Sequence, residues 1–496
     1  MLKENNLQSQ VNIAAKWSFI TEIAAKLVSP LTNMVLARIL APEAFGVVAT
    51  VTMITSFADM FTDAGFQKYL VQHEFRDEKE KNRYANVAFI TNMVISVFLW
   101  IIISIFSEQI ANLVGSKGLG IVIIVACSQL VLTAFSSIQM ALYRRDFDFK
   151  TLFIVRMVSI FIPVFITIPL AFLGVSYWAL IIGSIFMQLS NAVILTVKSK
   201  WKPRWFYSIK VLKRMFSFSM WSLIEQISIW LTLWVDAFII ASVLSEYYLG
   251  LYKTSTTMVN ALLAVITAST VPVLFSALSR LQNETEQFNR TFLSTQRAVS
   301  ILVFPLGVGI YLYRDLVTQI LLGPKWSEAS EVIGIWAITS AIVIVLSHFC
   351  SEVYRAKGRP KLSFLAQILH LIVLVPALII SSHFGFWILI YVRSWIRLEG
   401  TLVHFFIMKY AIGFPIIRML KNVLPTALSS IVMGFFGYFL KQLNEGIFWD
   451  FISIFICTLF YFAILSLFPN MKRDIIKILH RIFPKKMIYR FSGKEN

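Results

Sequence analysis

The chain has 496 residues, is 58% hydrophobic and has a mean hydropathy of +0.74, whereas soluble domains are about 45–50% apolar; this composition excludes an ordinary soluble domain and requires a polytopic membrane protein. Its three cysteines, Cys127, Cys350 and Cys457, all lie in apolar runs, which excludes a disulfide framework and a CxxC metal site. The formal net charge of +19 would suit nucleic acid, but the placement of that charge along the chain argues against such a partner.

About 20 apolar residues cross a bilayer as a helix. By that measure fourteen spans are predicted, at 15–38, 45–70, 84–106, 119–142, 151–172, 175–197, 215–241, 248–276, 293–313, 331–353, 362–382, 386–408, 422–441 and 446–468. The first run is long and interrupted by charge, unlike a cleavable signal peptide. Lysine and arginine crowd every second connection: Lys68 to Arg83, then Arg144, Arg145 and Lys150, then Lys198 to Arg214. The same side continues through Arg280 and Arg290, Arg355 to Lys361, Lys409 to Lys421, and the tail. The alternate connections carry only Arg38, Lys117, Arg314 with Lys325, and Lys441. Such a bias predicts a multi-pass membrane protein whose basic connections and both termini are cytoplasmic. The excess charge then faces anionic lipid headgroups, and nucleic acid is not the partner.

Two stretches repeat. Ala37, Leu40, Gly46 and Thr50 align with Ala241, Leu244, Gly250 and Thr254. At nearly the same offset, Tyr143, Arg144, Lys150 and Phe153 align with Tyr354, Arg355, Lys361 and Phe364. Two matches in one order predict two similar halves. The expected organisation is a six-helix lobe at 1–197, a cytoplasmic interfacial linker at 198–214 and a second six-helix lobe at 215–410. Two further transmembrane helices at 411–468 and a basic amphipathic cytoplasmic tail at 469–496 complete it. The linker mixes Trp201, Trp205, Phe206 and Tyr207 with lysines, as a segment lying on a membrane surface does.

Catalytic signatures are missing. There is no GxxxxGK(S/T) loop for ATP phosphates, no HExxH and no GxSxG elbow. The longest outer link, about Tyr313 to Glu331, is too short for the extracytoplasmic domain of a glycosyltransferase or polymerase. His348, His370 and His404 lie within spans and are read as interhelical hydrogen-bonding groups. An enzyme is therefore the poorer reading.

Charges inside spans carry the functional signal, because hydrocarbon tolerates them only when they face partners or a cavity. Glu22 and Lys26 stand one turn apart in the first span, and Asp59 and Asp63 likewise in the second. Like charges at that spacing repel, so one of the two aspartates is expected to bind a proton or face a cation. Glu225 and Asp236 share one face of the seventh span; Arg156 lies in the fifth and Lys253 in the eighth. Arg393 and Arg397 occupy one face of the twelfth, with Glu399 close behind. Internal pairing, such as Glu22 with Lys26 or Arg397 with Glu399, is the structural alternative. Ionisable groups spread over so many spans predict a shared polar interior.

The segment Leu36-Ala-Arg-Ile-Leu-Ala-Pro-Glu-Ala-Phe-Gly-Val-Val-Ala49, then Asp63-Ala-Gly-Phe-Gln, then Tyr354-Arg-Ala-Lys-Gly-Arg-Pro, resembles the polysaccharide exporter or oligosaccharide flippase family of the multidrug/oligosaccharidyl-lipid/polysaccharide (MOP) superfamily. The likeness spans essentially the whole chain and is strongest to the colanic-acid and teichuronic-acid exporter branch. It implies an all-α fold of about 14 transmembrane helices with two six-helix lobes, working by alternating access. It also implies a cargo of undecaprenyl-diphosphate-linked oligosaccharide repeats, carried to the outer leaflet for surface polysaccharide or lipopolysaccharide synthesis beside a polymerase and export machinery. The family carries no strict site motif, so the candidate residues come from the charges above. Lys26, Arg156, Lys253, Arg393 and Arg397 are candidates to hold the diphosphate; Asp59, Asp63, Glu225 and Asp236 are candidates for ion coupling. No cofactor and no metal are expected; downhill release, or a proton or sodium gradient, would supply direction. A drug/cation antiporter of the same superfamily is the rival transport reading, disfavoured by so many bases. A scaffolding role would leave the interior charges unexplained.

Overall fold

The computed structural model describes residues 2–63, 65–469 and 471–474, and among them every regular element is helical. In chain order the helices are α1 (Leu2–Ile39), α2 (Pro42–Asp63), α3 (Phe66–Gln72), α4 (Glu78–Ile105), α5 (Ser107–Leu113), α6 (Gly120–Cys127) and α7 (Gln129–Arg145). There follow α8 (Phe149–Ile162), α9 (Ile168–Phe172), α10 (Tyr177–Lys198), α11 (Ile209–Val243), α12 (Glu246–Arg280), α13 (Thr285–Leu312) and α14 (Arg314–Leu321). The last are α15 (Ala329–Val343), α16 (Cys350–Ala356), α17 (Lys361–Ser382), α18 (Phe386–Trp395), α19 (Arg397–Ile407), α20 (Ile416–Leu443) and α21 (Ile447–Ser466). The expected amphipathic tail helix lies outside the described residues.

Twelve helical runs among the described residues are long and apolar enough to cross a membrane. The other two expected spans are helical but fall short of that measure. Lys16, Glu22 and Lys26 dilute α1. The twelfth is divided at Ile396 into α18 and α19 and carries Arg393, Arg397 and Glu399. Elsewhere, among the described residues, spans continue through wide turns at Pro163–Thr167 and at Ile344–His348. The π-turn Pro163–Thr167 joins α8 to α9, because Pro163 has no N–H to give the carbonyl one turn earlier.

The chain packs as two compact units. The first comprises Met1–Ser255, Leu321–Ser327 and Leu374–Val392; the second comprises Thr256–Ile320, Glu328–Val373 and Arg393–Asn496. In the first, Phe66, Leu70, Tyr84, Ile138 and Met215 form one apolar core. Trp201 joins it edge-on to Phe89, so this linker aromatic is buried while Trp205 is 97% exposed. A separate core gathers Val47, Val51, Ile123, Leu130 and Ile181. In the second unit, α20 and α21 pack through α13. Thr426 Oγ1 donates to Ser300 Oγ at 3.0 Å, Asn422 Nδ2 to the Leu293 carbonyl at 2.8 Å, and the Tyr461 hydroxyl to the Ile301 carbonyl at 2.9 Å. Small polar contacts of this kind hold helices together where lipid removes the hydrophobic drive.

The two glycines aligned by the sequence repeat meet within the first unit. A Cβ on Gly46 would collide with the Glu246 carbonyl, and one on Gly250 with the Pro42 carbonyl. Pro42 and Glu246 are themselves equivalent in the repeat, so the starts of α2 and α12 cross reciprocally, backbone on backbone. The neighbouring connections follow suit. Gly115 (φ 74°) sits against the Ala241 carbonyl, and Gly323 (φ 91°) against Arg38. Next to Gly323, the Trp326 indole donates to the Ala37 carbonyl at 2.7 Å and Lys325 Nζ to the Ile39 carbonyl at 2.9 Å. These two donors satisfy carbonyls in the last turn of α1 that have no helical partner. Hence the short segment Leu321–Ser327 belongs with the first unit.

Candidate functional site

Arg393 and Arg397 converge on one aromatic ring in the second unit. Their guanidinium carbons lie 5.2 Å and 4.1 Å from the centroid of Trp336. Arg393, at 8% exposure, is buried, while Arg397 is half-buried. Four residues separate them, and although the helix breaks between them at Ile396, the two side chains still reach the same partner. Arg397 Nη1 also donates to Ser340 Oγ at 2.8 Å, and Trp336 Nε1 donates to Asn260 Oδ1 at 3.1 Å. The indole is thereby fixed at its polar edge, leaving its face for cations. Ser340 lies one turn beyond Trp336 on α15, which positions ring and hydroxyl together.

Beside them, His370 Nδ1 lies 2.8 Å from Glu399 Oε2. Glu399 therefore pairs with His370 from α17, and the alternative of an Arg397–Glu399 pair is not realised. Gly400 makes room for this pair: a Cβ there would stand 3.1 Å from His370 Nδ1. His404 lies 3.1 Å from the Tyr354 hydroxyl. His370 and His404 are thus both hydrogen-bonded between helices, as the sequence suggests.

The remaining candidates belong to the first unit. Arg156 is exposed on α8 and lines a cavity of about 300 Å³ with Thr32, Asn33, Ser159, Thr167 and Ser184. The cavity lies at the π-turn, where Gly183 of α10 approaches Thr167 so closely that a Cβ would strike its hydroxyl. Lys253 Nζ lies 4.1 Å over the Trp234 ring and donates to the Leu233 carbonyl at 3.1 Å. Asp236, at 3% exposure, accepts from the Tyr252 hydroxyl at 2.6 Å and from the Ala237 N–H at 2.7 Å. Lys26 on α1 and Asp59 on α2 are half-buried. The side chains of Asp63 and Glu225 lie outside the described residues, as does that of Glu22. Of the five candidate cations, the structure brings together Arg393 and Arg397. Sequence reasoning missed Trp336, Ser340 and Asn260, which no local spacing ties to either arginine.

Residues 35–331 match the family described as Polysaccharide biosynthesis protein. The chain belongs to that family. A relative is the succinoglycan biosynthesis transport protein ExoT of Rhizobium meliloti (strain 1021), 23% identical over 335 residues, 67% of each chain. The teichuronic acid biosynthesis protein TuaB of Bacillus subtilis (strain 168) is 20% identical over 436 residues, 87% of this chain and 89% of its own. Among solved structures, the lipid II flippase MurJ in an inward closed conformation matches with a TM-score of 0.75 at 17% identity, covering 93% of this chain and 100% of that one. At that identity the likeness establishes the fold alone, one that the chain also shares with a multidrug resistance MATE family transporter of the MOP superfamily at a TM-score of 0.60. The expected family and all-α multi-pass fold are borne out; the count of about fourteen spans is not confirmed, twelve runs among the described residues meeting the measure.

Proposed function

We propose that this family member is a flippase for undecaprenyl-diphosphate-linked oligosaccharide repeat units, moving them from the cytoplasmic to the outer leaflet of a bacterial cytoplasmic membrane by alternating access. The observation that carries the proposal is the pair Arg393 and Arg397 on Trp336. A sugar–diphosphate head is too polar to cross hydrocarbon unaided. Two guanidiniums can replace its hydration with bidentate bonds while staying charged at any physiological pH. A tryptophan face suits a sugar ring as well as a cation. In the first unit Arg156, in its cavity of hydroxyls and an amide, is by itself suited to a polar, anionic group. The names of the relatives and the fold shared with a lipid II flippase support a lipid-linked cargo. A drug/cation antiporter shares the fold but would favour an acidic centre over two arginines.

Both termini are then cytoplasmic, on the basic side of the membrane. Transport makes and breaks no bond in the cargo. Direction comes from downhill release or an ion gradient, for which the enclosed carboxylate of Asp236, together with Asp59, Asp63 and Glu225, is the candidate set. Deleting the gene in its host tests the reading. The lipid-linked repeat should accumulate in the membrane while surface polymer disappears, and the intact gene should restore both. Normal surface polymer after deletion, with no second family member present, would contradict it.

A further inference from the structure

We propose that a second pocket, in the first unit, binds the phosphate of a membrane-lipid headgroup, independently of what the protein carries across. The pocket is a cavity of about 780 Å³ where the start of α4, the end of α7, the start of α8 and the end of α10 meet the chain that follows. That volume lies within the range of small-molecule sites, roughly 300–1,000 Å³.

Its wall carries three lysines and three carboxylates. The acidic groups are already engaged. Lys81 Nζ lies 2.8 Å from Glu78 and 3.9 Å from Asp146. Asp148 accepts from the backbone N–H and the hydroxyl of Thr151 at 3.0 and 2.8 Å. Other donors remain on the wall. The Tyr143 hydroxyl and the Trp201 indole N–H are buried and have no hydrogen-bond partner among the described residues, and Trp201 as a whole is only 8% exposed. Lys198 and Lys200 are exposed at the rim, with no acidic partner among the described residues. A buried donor left without an acceptor is destabilising, so an acceptor-rich, anionic group is the complement of these donors.

The sequence repeat supplies an internal comparison. Tyr354, which aligns with Tyr143, has its hydroxyl satisfied by His404, at 3.1 Å from Nδ1 and 3.3 Å from the carbonyl. The leftover hydroxyl is thus peculiar to the first copy. The depth of the pocket selects the source of the phosphate. Four apolar runs, Glu78–Ile105, Gly120–Arg145, Phe149–Phe172 and Tyr177–Lys198, have one end at it. Trp205 and Tyr207, exposed just beyond, are residues that favour the headgroup level.

The test uses the full chain in nanodiscs of phosphatidylcholine doped with phosphatidylglycerol, reading retained phosphatidylglycerol by native mass spectrometry. Lys198→Ala/Lys200→Ala should lower retention by about ten-fold or more, and Tyr143→Phe, which removes one oxygen, by about three-fold. Lys210→Ala/Lys213→Ala, on exposed lysines of the following helix outside the pocket, should leave it unchanged. A parallel arm measures orthophosphate binding by equilibrium dialysis in pure phosphatidylcholine nanodiscs. Weak or no binding there supports the headgroup; orthophosphate binding abolished by the Lys198/Lys200 variant supports the same site with phosphate alone as sufficient ligand. Retention that is equal in all variants, or lowered as much by Lys210→Ala/Lys213→Ala, overturns the proposal, with thermal unfolding confirming that each variant is folded.

Discussion

Trp336 is the residue around which the candidate site is built, since it receives both guanidiniums on its ring and is held at its edge by Asn260. Removing it as Trp336→Ala takes away two cation–π contacts, each about 0.5–2 kcal/mol, so both arginines lose their common reference. Polymer export should fall well below that of Trp336→Phe, which keeps an aromatic face and loses only the hydrogen bond; equal export by the two at matched membrane levels would exclude the platform role. The pairing of Arg393 with Arg397 was legible in the sequence, because a separation of four places two side chains on one helical face. Their meeting with Trp336 was not, because it joins residues more than fifty positions apart through packing alone. For the same reason Glu399 looked like a partner for Arg397 by proximity along the chain, whereas α17 brings His370 to it instead.

At the scale of elements, the reciprocal crossing of α2 and α12 depends on glycine. Gly250→Ala forces a methyl group into the Pro42 carbonyl. Overpacking of this kind destabilises by about 1–3 kcal/mol, readable as a lowered melting temperature in detergent. Gly309→Ala, where a Cβ meets nothing within 4 Å and the backbone is helical, should leave the melting temperature nearly unchanged; equal behaviour of the two variants would show that the crossing is loose. The aligned glycines were readable from the repeat. The segment Leu321–Ser327 was not: it has no apolar period, and what ties it to the end of α1 is a tryptophan and a lysine donating to backbone carbonyls. Likewise the division of the twelfth expected span at Ile396 leaves no mark in hydropathy, which registers only the charges of Arg393, Arg397 and Glu399.

For the whole molecule, composition and the alternation of basic connections were sufficient to read a multi-pass helical membrane protein, because the bilayer dictates both. Cargo is a property of particular side chains, and fold alone does not assign it. The measurement that bears most directly on the proposed function is translocation of an undecaprenyl-diphosphate-linked oligosaccharide across the membrane of proteoliposomes containing the purified chain, followed by access of the sugar to an added glycosidase. The wild-type chain should expose the sugar far faster than empty liposomes. Arg393→Lys should be slower, since lysine keeps the charge but loses the bidentate fork, and Arg393→Ala/Arg397→Ala should fall to the empty-liposome rate while reconstituting to the same density. Wild-type rates from the double alanine variant would contradict the assignment of the head-group site to Arg393 and Arg397.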